Sequence, residues 1–375
     1  MKNKNIKILL FLISLPVIVF ITFKNNDPEI ITDMIIECSY QKNQKDREIC
    51  INKYLTSDIK IKNYKSILKK INNEATTNIT FKNNCHEIAH YIGESAYKRY
   101  REAALTRDTP SCGEGYIHAI MGNFITSEEN IKKLISFCTN YQQNTREKAL
   151  CYHGIGHSYG EKFDKNNIYK KDILFITEIT KFCEKIENIA KNIYQEKNQL
   201  ILPGCFSGGY TQFYESLNQQ LEAENKEIYS ADPQNCISIK DSIVVECLRI
   251  SVNYNILSKL DKKIFRTNDL LSKKISIIDD IYTETNLYCE SLETKNQNIG
   301  CMRGIATSYV NAVLSKNILK NIEELKIDDY TNYIKNICKL DNNKNSNKEC
   351  MNTFINELKE KIDINTINSI NEKLQ

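Results

Sequence analysis

Fourteen cysteines constrain this chain more than any other feature of its sequence. They fall into consecutive pairs, five of which are separated by 11 to 13 residues. The alternative interpretation is a reduced cytosolic protein whose thiols bind zinc. No C-x-x-C pair occurs, and the common thiol-based zinc motifs require one, so the sequence argues against this alternative. Cysteines in this pattern indicate disulfides formed in an oxidising compartment. The predicted bonds are Cys38–Cys50, Cys85–Cys112, Cys138–Cys151, Cys183–Cys205, Cys236–Cys247, Cys289–Cys301 and Cys338–Cys350.

The pairs also repeat along the chain. Their first members follow one another at intervals of 45 to 53 residues, a period typical of repeat proteins. The first cysteine usually ends an amphipathic stretch and the second begins another, which predicts a disulfide across the loop between two helices. A glycine three residues after the second cysteine predicts close approach of neighbouring helices. It occurs at Gly115, Gly154, Gly208 and Gly304.

One pair fits this scheme poorly. Cys85 lies at the start of a helical pattern rather than at its end, and its separation from Cys112 is long. Either residues 101–111 run back along the helix, or the pairing differs here.

Helical periodicity dominates the chain, and the alternation typical of strands is not sustained. We therefore predict an all-α fold over residues 25–375, a disulfide-stapled and α-solenoid-like helical repeat array. The stretch 341–349 is predicted to be a loop. The clearest helical stretches are 64–73, 167–194, 215–228, 266–282 and 313–325.

Residues 1–24 resemble a targeting segment. Three lysines precede an apolar stretch at residues 8–23, and no small-residue cleavage site follows it. This pattern favours an uncleaved signal anchor, a transmembrane helix, over a cleaved signal peptide. The positive-inside rule then sends the rest of the chain out, so the soluble part is expected to be extracytoplasmic and tethered to a membrane.

Charge excludes one class of partner. The net charge is only +4, and lysines and arginines are spread among many acids. No basic stripe marks a nucleic-acid surface, so no nucleic-acid partner is expected. A protein partner on the surface of the repeats remains a candidate.

The chemistry is concentrated in residues 85–161. All five histidines lie there, four of them in H-x-x-x-H pairs, and this spacing stacks two imidazoles on one helix face. Such a set predicts a site for a divalent transition metal, with zinc as the first candidate and the number of ions open. The alternative is that the histidines are packed core residues or solvated. The predicted ligands are His86, His90, His118, His153 and His157, with Glu94, Glu114 and Glu161 in the same helical ladders.

The segment His86-Glu87-Ile88-Ala89-His90 resembles the H-E-x-x-H motif of zincin metallopeptidases. The resemblance covers about eight residues, and Gly93 matches the next position of the longer metzincin pattern. It implies that His86 and His90 bind zinc while Glu87 acts as a general base on a bound water.

The match stops at Ala96, which occupies the third-ligand position. A third ligand of the gluzincin type would be a distant acid such as Glu114. Two functions therefore stay open: a metal-dependent hydrolase, or a non-catalytic partner-binding scaffold with a structural metal or polar cluster.

Overall fold

The computed structural model describes residues 27–41, 43–55, 59–105, 112, 115–125, 127–141, 145–163, 172–265, 271–314, 325–338, 344–359, 361–362 and 364–374. Every regular element within these ranges is a helix, which confirms the predicted all-α fold. None of the described helices is long and apolar enough to cross a bilayer. The anchor predicted for residues 1–24 lies outside the described residues.

The chain divides into two compact units, Met1–Phe124 and Ile125–Gln375. The described helices of the first unit are α1 (Pro28–Cys38), α2 (Gln44–Tyr54), α3 (Ile61–Thr77), α4 (Ile79–Tyr100) and α5 (Gly115–Phe124). Those of the second are α6 (Glu128–Tyr141), α7 (Thr145–Lys162), α8 (Asp172–Tyr194), α9 (Ile201–Ala223), α10 (Asp241–Leu260), α11 (Leu271–Glu290), α12 (Lys295–Ser308), α13 (Ile327–Ile337), α14 (Lys344–Lys359) and α15 (Ile364–Leu374).

The seven predicted disulfides are all present and use every cysteine, with Cα–Cα distances between 5.2 and 5.7 Å. A bridge that closes a short loop stabilises the fold by roughly 3 kcal/mol, mainly by restricting the unfolded chain. So many bridges indicate an oxidising, extracytoplasmic compartment.

The Cys85–Cys112 bond, the least certain from the sequence, lies between two helices that pack side by side. Cys85 lies within α4 rather than at its beginning, and Cys112 lies three residues before Gly115, the first residue of α5.

Helix α4 is the central element of the first unit and packs against α3 and α5. It begins after Asn78, whose side-chain oxygen accepts the N–H of Phe81 and so caps the first turn. Contact with α5 is backbone to backbone. A Cβ on Gly93 would lie 2.3 Å from the carbonyl oxygen of Tyr116, and one on Gly115 would lie 2.4 Å from that of His86. Only glycine allows the two helices to come this close.

In the second unit, the helices that carry the second cysteine of each pair pack on one another in chain order. Helix α7 packs on α9, α9 on α10, α10 on α12 and α12 on α14. A Cβ on Gly208 would lie 1.9 Å from the carbonyl oxygen of His153, and one on Gly304 would lie 2.7 Å from that of Arg249. Close helix approach is therefore confirmed at the repeated glycine position for Gly115, Gly208 and Gly304.

Two predicted boundaries are wrong. The stretch 215–228 leaves the helix after Ala223, and Asn225 has a positive φ of 53° that an α-helix does not accommodate. The loop predicted for 341–349 is helical from Lys344, the first residue of α14. The helix predicted for 313–325 reaches only Leu314 within the described residues, as a π-helical turn, and 315–324 lie outside them.

Candidate metal centre

Three histidines of the first unit converge between α4 and α5. His86 and His90 lie one turn apart on α4, and His118 lies on α5. The ring centroid of His86 lies 4.9 Å from that of His90 and 5.4 Å from that of His118. The centroids of His90 and His118 are 6.0 Å apart. One ring nitrogen from each histidine lies within 4.8 Å of those of the other two. The predicted meeting of these two segments is confirmed.

The close approach of α4 and α5 places the third imidazole. Gly115 lies against the backbone of His86 and within 3.2 Å of the Ala89 side chain, measured from the position of a Cβ. His118 follows Gly115 by three residues, so it lies on nearly the same face of α5 and is directed at α4. A larger residue at position 115 would push the helices, and with them the three rings, apart.

The site shields its histidines from water to different degrees. His118 is 3% exposed, His90 is half-buried and His86 is exposed. Burial, and then the charge of the neighbouring His86, lowers the pKa of His90 to about 3. At neutral pH its ring is therefore uncharged, which is the form that binds metal ions.

A backbone carbonyl orients His86. Its Nδ1 atom is 2.8 Å from the carbonyl oxygen of Cys112. Because a carbonyl only accepts hydrogen bonds, Nδ1 carries the proton and donates it, and the Nε2 atom of the neutral ring keeps its lone pair. Histidines that bind metals commonly donate their second N–H in this way, which fixes both tautomer and ring orientation.

Glu87, the predicted general base, is engaged by other groups. Its two carboxylate oxygens accept hydrogen bonds from Nε and Nη2 of Arg47 at 3.1 and 2.7 Å. The Tyr91 hydroxyl donates a third at 2.8 Å. The Arg47 and Glu87 side chains are only 12% and 22% exposed, so this pair ties α2 to α4 away from bulk water. The geometry favours a structural role, and the role of base stays a prediction.

The predicted carboxylate ligands do not join the close group of ring nitrogens in the described residues. Glu94 lies 3.9 Å from Lys98 on the exposed side of α4. Glu161 is exposed on α7 in the second unit. Glu114 lies outside the described residues.

His153 and His157 belong to α7 of the second unit, which is helical through Gly154 and Gly156. Their ring centroids are 6.3 Å apart, and His157 is 6% exposed. That this pair binds the same ion as the three histidines of the first unit stays a prediction from the sequence.

A second polar cluster lies in the second unit around Glu246. One of its oxygens pairs with Arg249 at 2.8 Å and the other with Arg303 at 3.0 Å, and Arg249 also donates to Ser207. Burial acts to raise the pKa of Glu246, but the two arginine charges outweigh it and lower this pKa to about 2. The cluster links α9, α10 and α12, with two guanidinium groups on one carboxylate.

Two functional contacts escaped the sequence analysis. Arg47 lies forty residues before Glu87, and no spacing rule relates them. The Cys112 carbonyl is a backbone group, so residue type carries no signal for it. Only the predicted disulfide to Cys85, the residue next to His86, could have pointed to that contact.

No protein family model matches the chain, and neither a curated protein nor a solved structure shows significant similarity to it.

Proposed function

We propose that the first unit binds a divalent transition-metal ion through His86, His90 and His118. The observation that carries this proposal is the convergence of three ring nitrogens within 4.8 Å. Two nitrogens bound to one tetrahedral zinc ion at about 2.1 Å each are about 3.4 Å apart. Closing the site around an ion therefore requires each nitrogen to move by less than about 1 Å.

The donor set selects the class of metal. Neutral imidazoles suit zinc, copper, nickel and iron, whereas calcium and magnesium require oxygen ligands. Cysteine sulfur is excluded as a ligand because all fourteen cysteines are in disulfides. Zinc remains the first candidate for the metal. The disulfides place the site in an oxidising compartment. The membrane tether predicted for residues 1–24 rests on the sequence alone.

The full chain, purified without a histidine tag, should contain about one equivalent of a transition metal by elemental analysis. After removal of the metal by a chelator, Zn²⁺ and Co²⁺ should rebind with the same stoichiometry, and Co²⁺ should give visible absorption bands from nitrogen ligation. Failure to bind Zn²⁺, Co²⁺, Ni²⁺ or Cu²⁺ at micromolar concentrations would contradict the proposal.

Glu87→Gln should leave the metal in place but destabilise the fold. The substitution removes the negative charge that two guanidinium N–H groups of Arg47 contact, and hydrogen bonds to charged groups contribute about 2 kcal/mol when water is largely excluded. Denaturant unfolding of the two chains measures the loss.

The matched control is Glu94→Gln, the same change on the exposed side of the same helix. Its partner Lys98 lies at 3.9 Å, so we expect a change within about 0.5 kcal/mol. Loss of metal from Glu87→Gln would contradict the expectation that Glu87 is not a metal ligand. Equal stability of the two variants would contradict the stabilising role of the Arg47–Glu87 ion pair.

The same variant separates the two functions that the sequence left open. A three-histidine site leaves a coordination position for water or substrate, as in catalytic zinc sites. If Glu87 is the base of a hydrolase, Glu87→Gln abolishes the activity while metal stays bound. The alternative is a non-catalytic, partner-binding and α-solenoid-like scaffold with a structural metal. The chain-order packing of α7, α9, α10, α12 and α14 supports the repeat array of that alternative.

A further inference from the structure

We infer that the Cys85–Cys112 disulfide controls the metal affinity of the histidine site, with Cys112 acting as a positioning residue for His86. Reduction of this bond weakens metal binding, and bound metal protects the bond from reduction. The inference rests on the proposed metal-binding function.

Both ends of this disulfide meet the same ligand. Cys85 directly precedes His86 on α4, so its backbone is continuous with that of the ligand. Cys112 contacts the ring of His86 through its carbonyl oxygen at 2.8 Å. The disulfide and the hydrogen bond therefore link the same two segments. The disulfide holds the Cys112 carbonyl near the imidazole of His86, and the carbonyl orients that imidazole.

The backbone of Cys112 needs external support. Its φ is 52°, in the left-handed region that residues with a Cβ rarely adopt and that costs on the order of 1 kcal/mol or more. The same carbonyl oxygen also accepts the N–H of Gly115 at 3.5 Å, which connects this conformation to the beginning of α5. The disulfide is the covalent link that holds the residue there. Once it is broken, Cys112 is free to return to an ordinary φ, and its carbonyl turns away from His86.

The chemistry is a thiol–disulfide exchange. Two molecules of a thiol such as glutathione lose two electrons and two protons and form a disulfide. The Cys85–Cys112 bond takes up the two electrons and the two protons and becomes two thiols. Loss of a group that orients a histidine ligand typically weakens metal binding 10- to 100-fold. By thermodynamic linkage, metal must make reduction of this bond less favourable by the same factor.

A matched control exists in the same unit. Cys38–Cys50 joins α1 to α2, and neither cysteine adjoins a histidine in the sequence. Removing either bond costs comparable chain-entropy stabilisation, because this contribution varies only with the logarithm of the sequence separation, which is 12 residues for Cys38–Cys50 and 27 for Cys85–Cys112. Only Cys85–Cys112 is expected to change metal affinity.

The test compares the Zn²⁺ affinity of three full-length chains by competition with a chelator: the natural chain, Cys85→Ser/Cys112→Ser and Cys38→Ser/Cys50→Ser. We expect 10- to 100-fold weaker binding for the first double variant and less than a threefold change for the second. Equal affinity of Cys85→Ser/Cys112→Ser and the natural chain would overturn the inference while leaving the metal site intact. Absence of binding to the natural chain would instead refute the proposed function.

A second measurement covers the case in which Cys85→Ser/Cys112→Ser fails to fold. The natural chain is equilibrated in glutathione redox buffers with and without a fixed concentration of free Zn²⁺, and each disulfide is quantified by alkylation and mass spectrometry. Zinc should lower the equilibrium constant for reduction of Cys85–Cys112 10- to 100-fold and leave that of Cys38–Cys50 unchanged. No shift, or easier reduction with zinc because the freed thiols bind it, would show that the inference is wrong.

Discussion

His118→Ala should weaken Zn²⁺ binding on the order of 100-fold or more. The substitution removes the one ligand that α5 contributes and leaves two imidazoles on a single face of α4. Two neighbouring histidines hold an ion far less tightly than a preorganised set of three, because the empty positions must be filled by water. Competition titration with a chromophoric chelator measures the change.

The control for this variant is His153→Ala. His153 lies in the second unit and outside the close group of ring nitrogens, so the affinity should stay within about threefold of that of the natural chain. Thermal unfolding of the metal-free chains shows whether His118→Ala is still folded, since His118 is 3% exposed and alanine leaves a cavity. A folded His118→Ala chain with unchanged affinity would exclude the three-histidine site. His157→Ala, assayed in parallel, tests the prediction from the sequence that His157 is a further ligand.

Gly208→Ala should severely destabilise the second unit, by about 3 kcal/mol or more. The added Cβ would lie 1.9 Å from the carbonyl oxygen of His153 and 2.9 Å from the backbone nitrogen of His157. Backbone atoms cannot rotate away as a side chain does, so α7 and α9 must separate and give up buried contact along their length. The gain in helix propensity, about 1 kcal/mol, does not offset this loss. Thermal and denaturant unfolding measure the effect.

The neighbouring residue offers a matched control with the same substitution in the same helix. A Cβ on Gly209 would lie 2.3 Å from the end of the buried Ile179 side chain and 3.1 Å from the carbonyl oxygen of Gly156, so its closest clash is with a side chain and not with the backbone. Overpacking of this kind typically costs about 1 to 3 kcal/mol, so we expect Gly209→Ala to cost less than Gly208→Ala. Equal stability of the two variants would mean that the backbone contact at Gly208 is not a constraint on the fold.

The covalent framework was predictable because its information is local. Each cysteine bonds to the next one along the chain, and helical periodicity on either side shows where the loop lies. Cys85–Cys112 fits the pattern poorly because its separation is long and because Cys85 lies at the apparent start of a helix. In the structure Asn78 caps that helix, so it begins six residues before the cysteine.

The metal site was predictable in its residue types but not in its surroundings. Helical spacing brings His86 and His90 together, and the repeated glycine suggested that α5 approaches α4, which places His118 near them. Side chains that contact the site from distant parts of the chain leave no such spacing pattern in the sequence. Arg47 pairs with the carboxylate of Glu87 because α2 packs on α4, and no spacing in the sequence predicts this contact.

The pairing of each cysteine with its nearest neighbour has a consequence for biogenesis. In order of synthesis, the second cysteine of each pair is the next cysteine after the first, so all earlier cysteines can already be paired when it appears. Oxidation can then proceed pair by pair along the chain, without the reshuffling that interleaved bridges demand.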